Sequence, residues 1–153
     1  MKNDFQFTFL AVAVRLLDKH KFSIALNTLI KAQDFYSIED YQKSLTNALL
    51  AIDNTMQSIC MNKKWINTVG SRSKLINIIC NSKLIPGYLQ NQYTSLVNIL
   101  RIDPLSLRHK DHYKTSDDIP EYFTAFALQS TITSIIFLIR AYEDTEKIDL
   151  VKK

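Results

Sequence analysis

Residues 38–59, IEDYQKSLTNALLAIDNTMQSI, place Ile38, Tyr41, Leu45, Ala48, Leu49, Ile52, Met56 and Ile59 at the three- and four-residue spacings of one helical face. That stripe predicts an amphipathic helix of about six turns, long enough to be the spine of a helical domain. Ser37, followed by Glu39 and Asp40, predicts its N-cap, with acids in the first turn where free amides and the helix dipole favour them.

Working outward from this spine, the same periodicity recurs. Phe5, Phe9, Val12 and Leu16 predict a first helix over about 4–17, and Phe22, Ala25, Leu29, Ala32 and Tyr36 a second, paired with the first as a hairpin. Beyond Asn62-Lys63-Lys64 a loop runs from Trp65 to Gly70, and Leu75, Ile78 and Ile79 predict a short helix from about Ser73 to Ser82. After the Pro86-Gly87 break, Leu89, Tyr93, Leu96, Val97 and Leu100 predict another, closed before Pro104. Asp118, Pro120 and Glu121 are start signals for a last helix, expected to reach about Asp144. The whole chain holds two glycines and three prolines, too few for the frequent tight turns of a sandwich or barrel. The fold class is all-α: one domain of 153 residues, 46% of them apolar, enough for a single core.

Within the last helix, Tyr122 to Ile139 (YFTAFALQSTITSIIFLI) carries no formal charge and has the length of a bilayer span. Gln129, Ser130, Thr131, Thr133 and Ser134 interrupt it, which suits a central packed helix or a dimer-interface helix better than a membrane segment. The start, MKNDFQFTFLAVAVRLLDKH, has no basic n-region and no small-residue cleavage site, and Arg15 breaks its apolar run, so no signal peptide is expected. A cytoplasmic location follows as an expectation, with Cys60 and Cys80 as reduced core residues.

The net charge of +4 is unevenly spread. From Asn54 to Ile102 there is no acid, while Lys63, Lys64, Arg72, Lys74, Lys83 and Arg101 all fall there. Such a block suits a polyanion such as RNA, because cations gain by neutralising phosphates and releasing counterions. The alternative is a solvated surface whose acids come from neighbouring helices.

Chemistry has one candidate location. No phosphate loop, zinc-spaced Cys/His array, nucleophile elbow or H-E-x-x-H occurs. The polar segment DPLSLRHKDHYKTSDD (103–118) gathers Arg108, His109, Lys110, Asp111, His112, Tyr113 and Lys114. Cleaving RNA without a metal takes a base for the 2′-hydroxyl proton, an acid for the leaving oxygen and a cation for charge building on phosphorus. His112 suits acid–base work near neutrality, Arg108 suits the phosphate, and Tyr113 and Lys114 suit substrate contact. A metal site from His109 and His112 with Asp111 or Asp117 is a weaker alternative, since its spacing matches no established site. His20 is expected on the surface.

PLSLRHKDH (104–112) followed by IPEYFTAFALQSTITSIIFLIRAY (119–142) resembles the end of the HEPN domains of bacterial abortive-infection proteins. Those domains pair an Arg and a polar residue with a His after a short loop, then begin a long apolar helix with V/I-P-E-Y. Here the counterparts are Arg108, His109, His112 and Ile119-Pro120-Glu121-Tyr122, while DYQKSLTNALLAIDNTMQSIC and KLINIICNSKLIPGYLQNQYTSLVNIL resemble the earlier helices. The resemblance covers about residues 38–143, leaving 1–37 as an N-terminal helical hairpin and 144–153 as a charged tail. It implies a compact helical bundle of HEPN type. It also implies a homodimer with a composite, metal- and cofactor-free endoribonuclease site in which Arg108 and His112 are catalytic and His109 supports them. Lys110, Tyr113, Lys114, Arg101, Lys63, Lys64, Arg72 and Lys74 would then hold RNA, and a larger defence-system protein is a further expected partner. Only three residues, none of them glycine, separate Arg108 from His112, a shorter interval than the family's usual one. A degenerate site of this kind would fit the superfamily's non-catalytic members, which act as scaffolds, sensors or antitoxins.

Overall fold

The computed structural model describes residues 2–101 and 119–152, with side chains from Thr8 onward. Among the described residues there are six α-helices and no strand: α1 Lys2–Lys19, α2 Ser23–Ser37, α3 Tyr41–Asn62, α4 Arg72–Asn81, α5 Gln90–Leu100 and α6 Glu121–Val151, with a short 3-10 turn at Gly87–Leu89 before α5. The all-α expectation holds. The spine helix α3 buries ten residues, including Leu45, Ile52, Met56 and Ile59, among α2, α4, α5 and α6. Alanines at the crossings (Ala25, Ala32, Ala48, Ala51, Ala127) are fully or almost fully buried and let the helix axes approach closely. Between α2 and α3 the buried Ser44 hydroxyl donates to the Ala32 carbonyl at 2.8 Å, fixing their register.

With so few glycines, the chain reverses direction by other means. Lys21, Glu39, Lys64 and Lys83 adopt φ of 61°, 63°, 61° and 60°, in the left-handed region. Each closes a helix with the paired bonds of a Schellman motif. After α1, for example, Phe22 N–H donates to Leu17 O at 2.9 Å and Lys21 N–H to Asp18 O at 3.1 Å. The same pattern ends α2 (Asp40 to Phe35, Glu39 to Tyr36), α3 (Trp65 to Cys60, Lys64 to Met61) and α4 (Leu84 to Ile79, Lys83 to Cys80). In α1 and α4 the residue after the left-handed position, Phe22 or Leu84, is buried, so core burial helps hold each reversal.

This geometry corrects the expected N-cap. Ser37 belongs to α2, where its hydroxyl donates to Gln33 O at 3.0 Å, and the cap of α3 is Asp40, which accepts from Lys43 N–H at 3.2 Å. The Schellman closure turns the backbone N–H of Asp40 back onto α2, so Asp40 is the residue that leaves one helix and opens the next.

α6 extends past the expected stop near Asp144 to Val151, so the segment read as a charged tail is its last turns. Lys63, at the end of α3, binds Glu146 and Asp149 there. By length and composition α6 would also reach across a bilayer. In the bundle nine of its residues are buried: the Thr124 hydroxyl donates to Pro120 O at 3.2 Å and Thr131 to Ala127 O at 2.8 Å, while the Tyr142 hydroxyl accepts from the Asn62 amide of α3 at 3.3 Å. Cys60 and Cys80 are free and buried, and burial pushes the Cys60 thiol up to about 11.

Glu143 ties α6 to α1, accepting from Lys19 at 2.7 Å, with Arg140 at 3.2 Å. Burial alone would raise its carboxyl, but the Lys19 hydrogen bond and the charges of Lys19, Arg140 and His20 hold it below its ordinary 4.5. His20, expected on the surface, is instead half-buried, its ring centre 5.4 Å from Tyr142 and 5.7 Å from Phe22.

Two outcomes follow. A left-handed conformation costs a side-chain-bearing residue roughly 1–2 kcal/mol, and glycine returns part of that gain as unfolded-state entropy, so Lys21→Gly with Lys83→Gly should stabilise the protein by about 1 kcal/mol. Differential scanning calorimetry should show a rise of about 2–4 °C in Tm. Because the Glu143 carboxyl is lowered on folding, the stability it contributes is complete above its ordinary 4.5 and is lost as pH falls through the lower folded value. The Tm gap between wild type and Glu143→Gln should therefore be open at neutral pH and close under acid.

Candidate functional site

The segment carrying Arg108, His109, Lys110, His112, Tyr113 and Lys114, and with it Asp111 and Asp117, lies outside the described residues. Its two attachment points are described. α5 delivers it from Leu100, which is 2% exposed, and α6 receives it at Ile119, which is 3% exposed. Both ends are therefore set in the core where α5 and α6 pack together.

The start of α6 is fixed from three sides. Pro120 occupies the N-cap in an extended conformation, where its missing N–H costs nothing. Thr124 binds its carbonyl, and the Tyr36 hydroxyl of α2 donates to the Glu121 carboxylate. Burial first, then that hydrogen bond and the Glu121 charge, push the Tyr36 phenol up to about 12, so it remains a donor across the whole physiological range. The Ile-Pro-Glu-Tyr start thus positions the chain at the exit of the segment. Periodicity offered no signal for this tie, because its partners are 85 residues apart.

The basic block divides into two kinds of cation. Lys63 is internal: its side chain is 9% exposed, its ammonium lies 2.8 Å from Glu146 and 2.9 Å from Asp149, and it sits over the Tyr142 ring at 5.7 Å. Burial would lower its pKa, and the two carboxylates more than offset this and raise it. Arg72 is likewise engaged, its Nε and a terminal nitrogen each 2.7 Å from the Asp53 Oδ2 of α3. Burial pushes the Asp53 carboxyl up, and the Arg72 hydrogen bond and charge pull it down without cancelling the effect. Lys64, Lys74, Lys83 and Arg101 are exposed. For Lys63 and Arg72 the acids come from other helices, the alternative that charge distribution had left open.

The structure brings Arg72 and Arg101 together at a cleft of about 330 Å³ between α4 and α5, which Lys63, Lys64 and Lys74 do not line. A second hollow, of about 500 Å³, lies between α5 and α6 and is lined by Tyr93, Leu96, Ile99, Phe126, Ser130 and Thr133 among others, with no charged side chain among the described residues. Beside it α6 leaves Tyr122, Phe126 and Phe137 70%, 60% and 44% exposed. Among the described residues no group of three His, Cys, Asp or Glu side chains is arranged to hold a metal.

With this geometry in place, the sequence profile of the Abi_C family, a HEPN-like domain, matches residues 23–142. The chain belongs to that family. The match begins earlier than the residues that carried the resemblance and takes in α2, in keeping with the close packing of α2 on α3. No curated protein and no solved structure matches the chain.

Arg72→Ala strands the Asp53 carboxylate, only 18% exposed, without its partner. A loss of about 2 kcal/mol is expected in urea unfolding, because the remaining buried charge is uncompensated. Asp53→Asn in the same chain should recover part of it, which loss of a purely superficial contact would not allow.

Proposed function

We propose that this chain is a metal-independent endoribonuclease of a bacterial abortive-infection system, cytoplasmic, working as a homodimer in which Arg108 and His112 of the two copies form one composite site on RNA. The observation that carries this reading is the family match across residues 23–142, which contains both residues in the family's order, followed by the Ile-Pro-Glu-Tyr helix start.

The chemistry is transesterification. One imidazole removes the 2′-hydroxyl proton, the 2′-oxygen bonds to phosphorus, and the bond to the 5′-oxygen breaks as an acid returns a proton to it, leaving a 2′,3′-cyclic phosphate and a 5′-hydroxyl. His112 and its symmetry mate supply base and acid, and the Arg108 guanidiniums stabilise the charge on the nonbridging oxygens. His109 supports them; Lys110, Tyr113 and Lys114 hold adjoining nucleotides. Neither metal nor cofactor takes part.

The uncharged α5/α6 face supports the dimer. Tyr122, Phe126, Ser130, Thr133 and Phe137 form one stripe on α6, aromatic at both ends and small in the middle, so a two-fold partner can seat its aromatic rings over the small residues.

The three-residue interval between Arg108 and His112 favours a second reading, a non-catalytic HEPN-like module that holds RNA, a nucleotide or a larger defence protein as scaffold or antitoxin.

Purified protein should cut a labelled mixed RNA pool in EDTA, and Arg108→Ala and His112→Ala should each lower the rate by at least about 100-fold, as loss of a general acid–base or phosphate-stabilising group does. Phe126→Glu should give a folded monomer by light scattering, inactive alone. A well-folded wild-type dimer that cuts nothing would leave the binding module as the reading.

A further inference from the structure

The cleft between α4 and α5 lies outside the Arg108–His112 segment, and its lining has a consistent chemical character. Thr94, Asn98 and Arg101 occupy i, i+4 and i+7 of α5 and its C-cap, so they share one face. Ser73 and Asn77 stand at i and i+4 of α4 and line the same cleft. Ile76 and Val97 are buried beneath them and give it an apolar floor.

Hydrogen bonds already made determine what the lining still offers. Asn77 accepts from the Gln90 amide at 2.6 Å through its oxygen, which leaves its NH2 as the unused end. Thr94 donates its hydroxyl proton to Gln90 O at 3.0 Å, leaving its oxygen as an acceptor. Arg72 is steadied by Asp53, which does not itself line the cleft. Arg101 is exposed at the end of α5, and Asn98 is exposed one turn earlier. Among the described residues no carboxylate lines the cleft. The inventory is the Arg101 guanidinium, with the Asp53-paired Arg72 beside it, and several N–H donors for an oxyanion, with the Thr94 oxygen and the Asn98 carbonyl as acceptors for a hydroxyl.

We infer that the α4/α5 cleft is a backbone subsite for one ribonucleotide unit of RNA, with Arg101 on the phosphate and Thr94 and Asn98 on the ribose 2′-hydroxyl. A volume of about 330 Å³ suits one sugar-phosphate unit and is small for a folded peptide element. The pairing of donors with hydroxyl acceptors distinguishes ribose from deoxyribose, since only the 2′-hydroxyl can donate to them. Arg101 stands seven positions before Arg108 in the chain. The inference rests on RNA as the ligand of the proposed function and does not require cleavage.

The test uses the full chain with His112→Ala, so that no cutting interferes, and a 5′-fluorescein single-stranded RNA 12-mer of mixed sequence, with its DNA counterpart, read by anisotropy in EDTA over a salt series. Arg101→Ala should weaken RNA binding about tenfold and reduce the slope of log affinity against log salt by about 0.7, the loss of one phosphate contact on a single strand. Arg101→Lys should restore the slope. Asn98→Ala should narrow the preference for RNA over DNA, and Lys31→Ala, on the exposed side of α2, should change neither. Circular dichroism melts check that each variant folds. Unchanged affinity and slope in folded Arg101→Ala and Asn98→Ala, absence of RNA binding, or AMP that binds as tightly as the 12-mer would each overturn the assignment. Arg101-dependent binding by a wild type that does not cut would remove the nuclease reading and leave this one standing.

Discussion

A helix of 31 residues whose first 18 after Glu121 carry no charge sets the terms for the rest of this molecule. Water cannot be left around it on all sides, so the other helices are arranged to cover it: α3 and α1 along much of its length, α5 and α2 more locally. Its buried threonines donate to carbonyls one turn back along the chain, which lets them stand in a packed core without a partner from another helix. Its charged end is held by Lys63 and its middle by Lys19, so the two ion-pair clusters sit where the apolar stripe gives out.

The covering is incomplete, and the part left open is chemically distinct. The side of α6 next to α5 offers aromatic rings and small hydroxyl residues with no charge, while the far side of α5, towards α4, offers arginine, amides and hydroxyls. One short helix of 11 residues thus separates a face suited to another protein surface from a face suited to a polyanion. Its C-terminal end leads into the segment that carries Arg108 and His112, the pair proposed to act on RNA.

Helix positions were legible because the core imposes its spacing on each element locally. The apolar stripes of α2, α3, α4 and α5 are visible in Ala25 to Tyr36, Tyr41 to Ile59, Leu75 to Ile79 and Tyr93 to Leu100 without knowledge of any partner. Boundaries were less so. Asp40 displaces Ser37 as a cap because a left-handed Glu39 intervenes, and Glu39 gives no sign of this in sequence. The last turns of α6 depend on Lys63, which is 86 positions from Asp149. The same distance explains the partial reading of the basic block: charge density is local information, but whether a cation is free is decided by acids on other helices. Arg108 and His112 were legible from the cluster of cations and histidines in 103–118 and from the family's residue order, whereas Asn98 and Thr94 share no motif and became visible only when α4 was set against α5.

The anchoring of Leu100 and Ile119 in the core has an evolutionary corollary. For a flexible connection whose two ends are held by packing, doubling the length costs only about 0.6 kcal/mol in closure entropy. The buried seats of Leu100 and Ile119 lie outside the interval between Arg108 and His112, so the packing at those two seats sets no length for that interval. Selection on chemistry at this connection is thereby uncoupled from selection on folding, so a lineage can lose, regain or retune an activity there while keeping one unchanged scaffold.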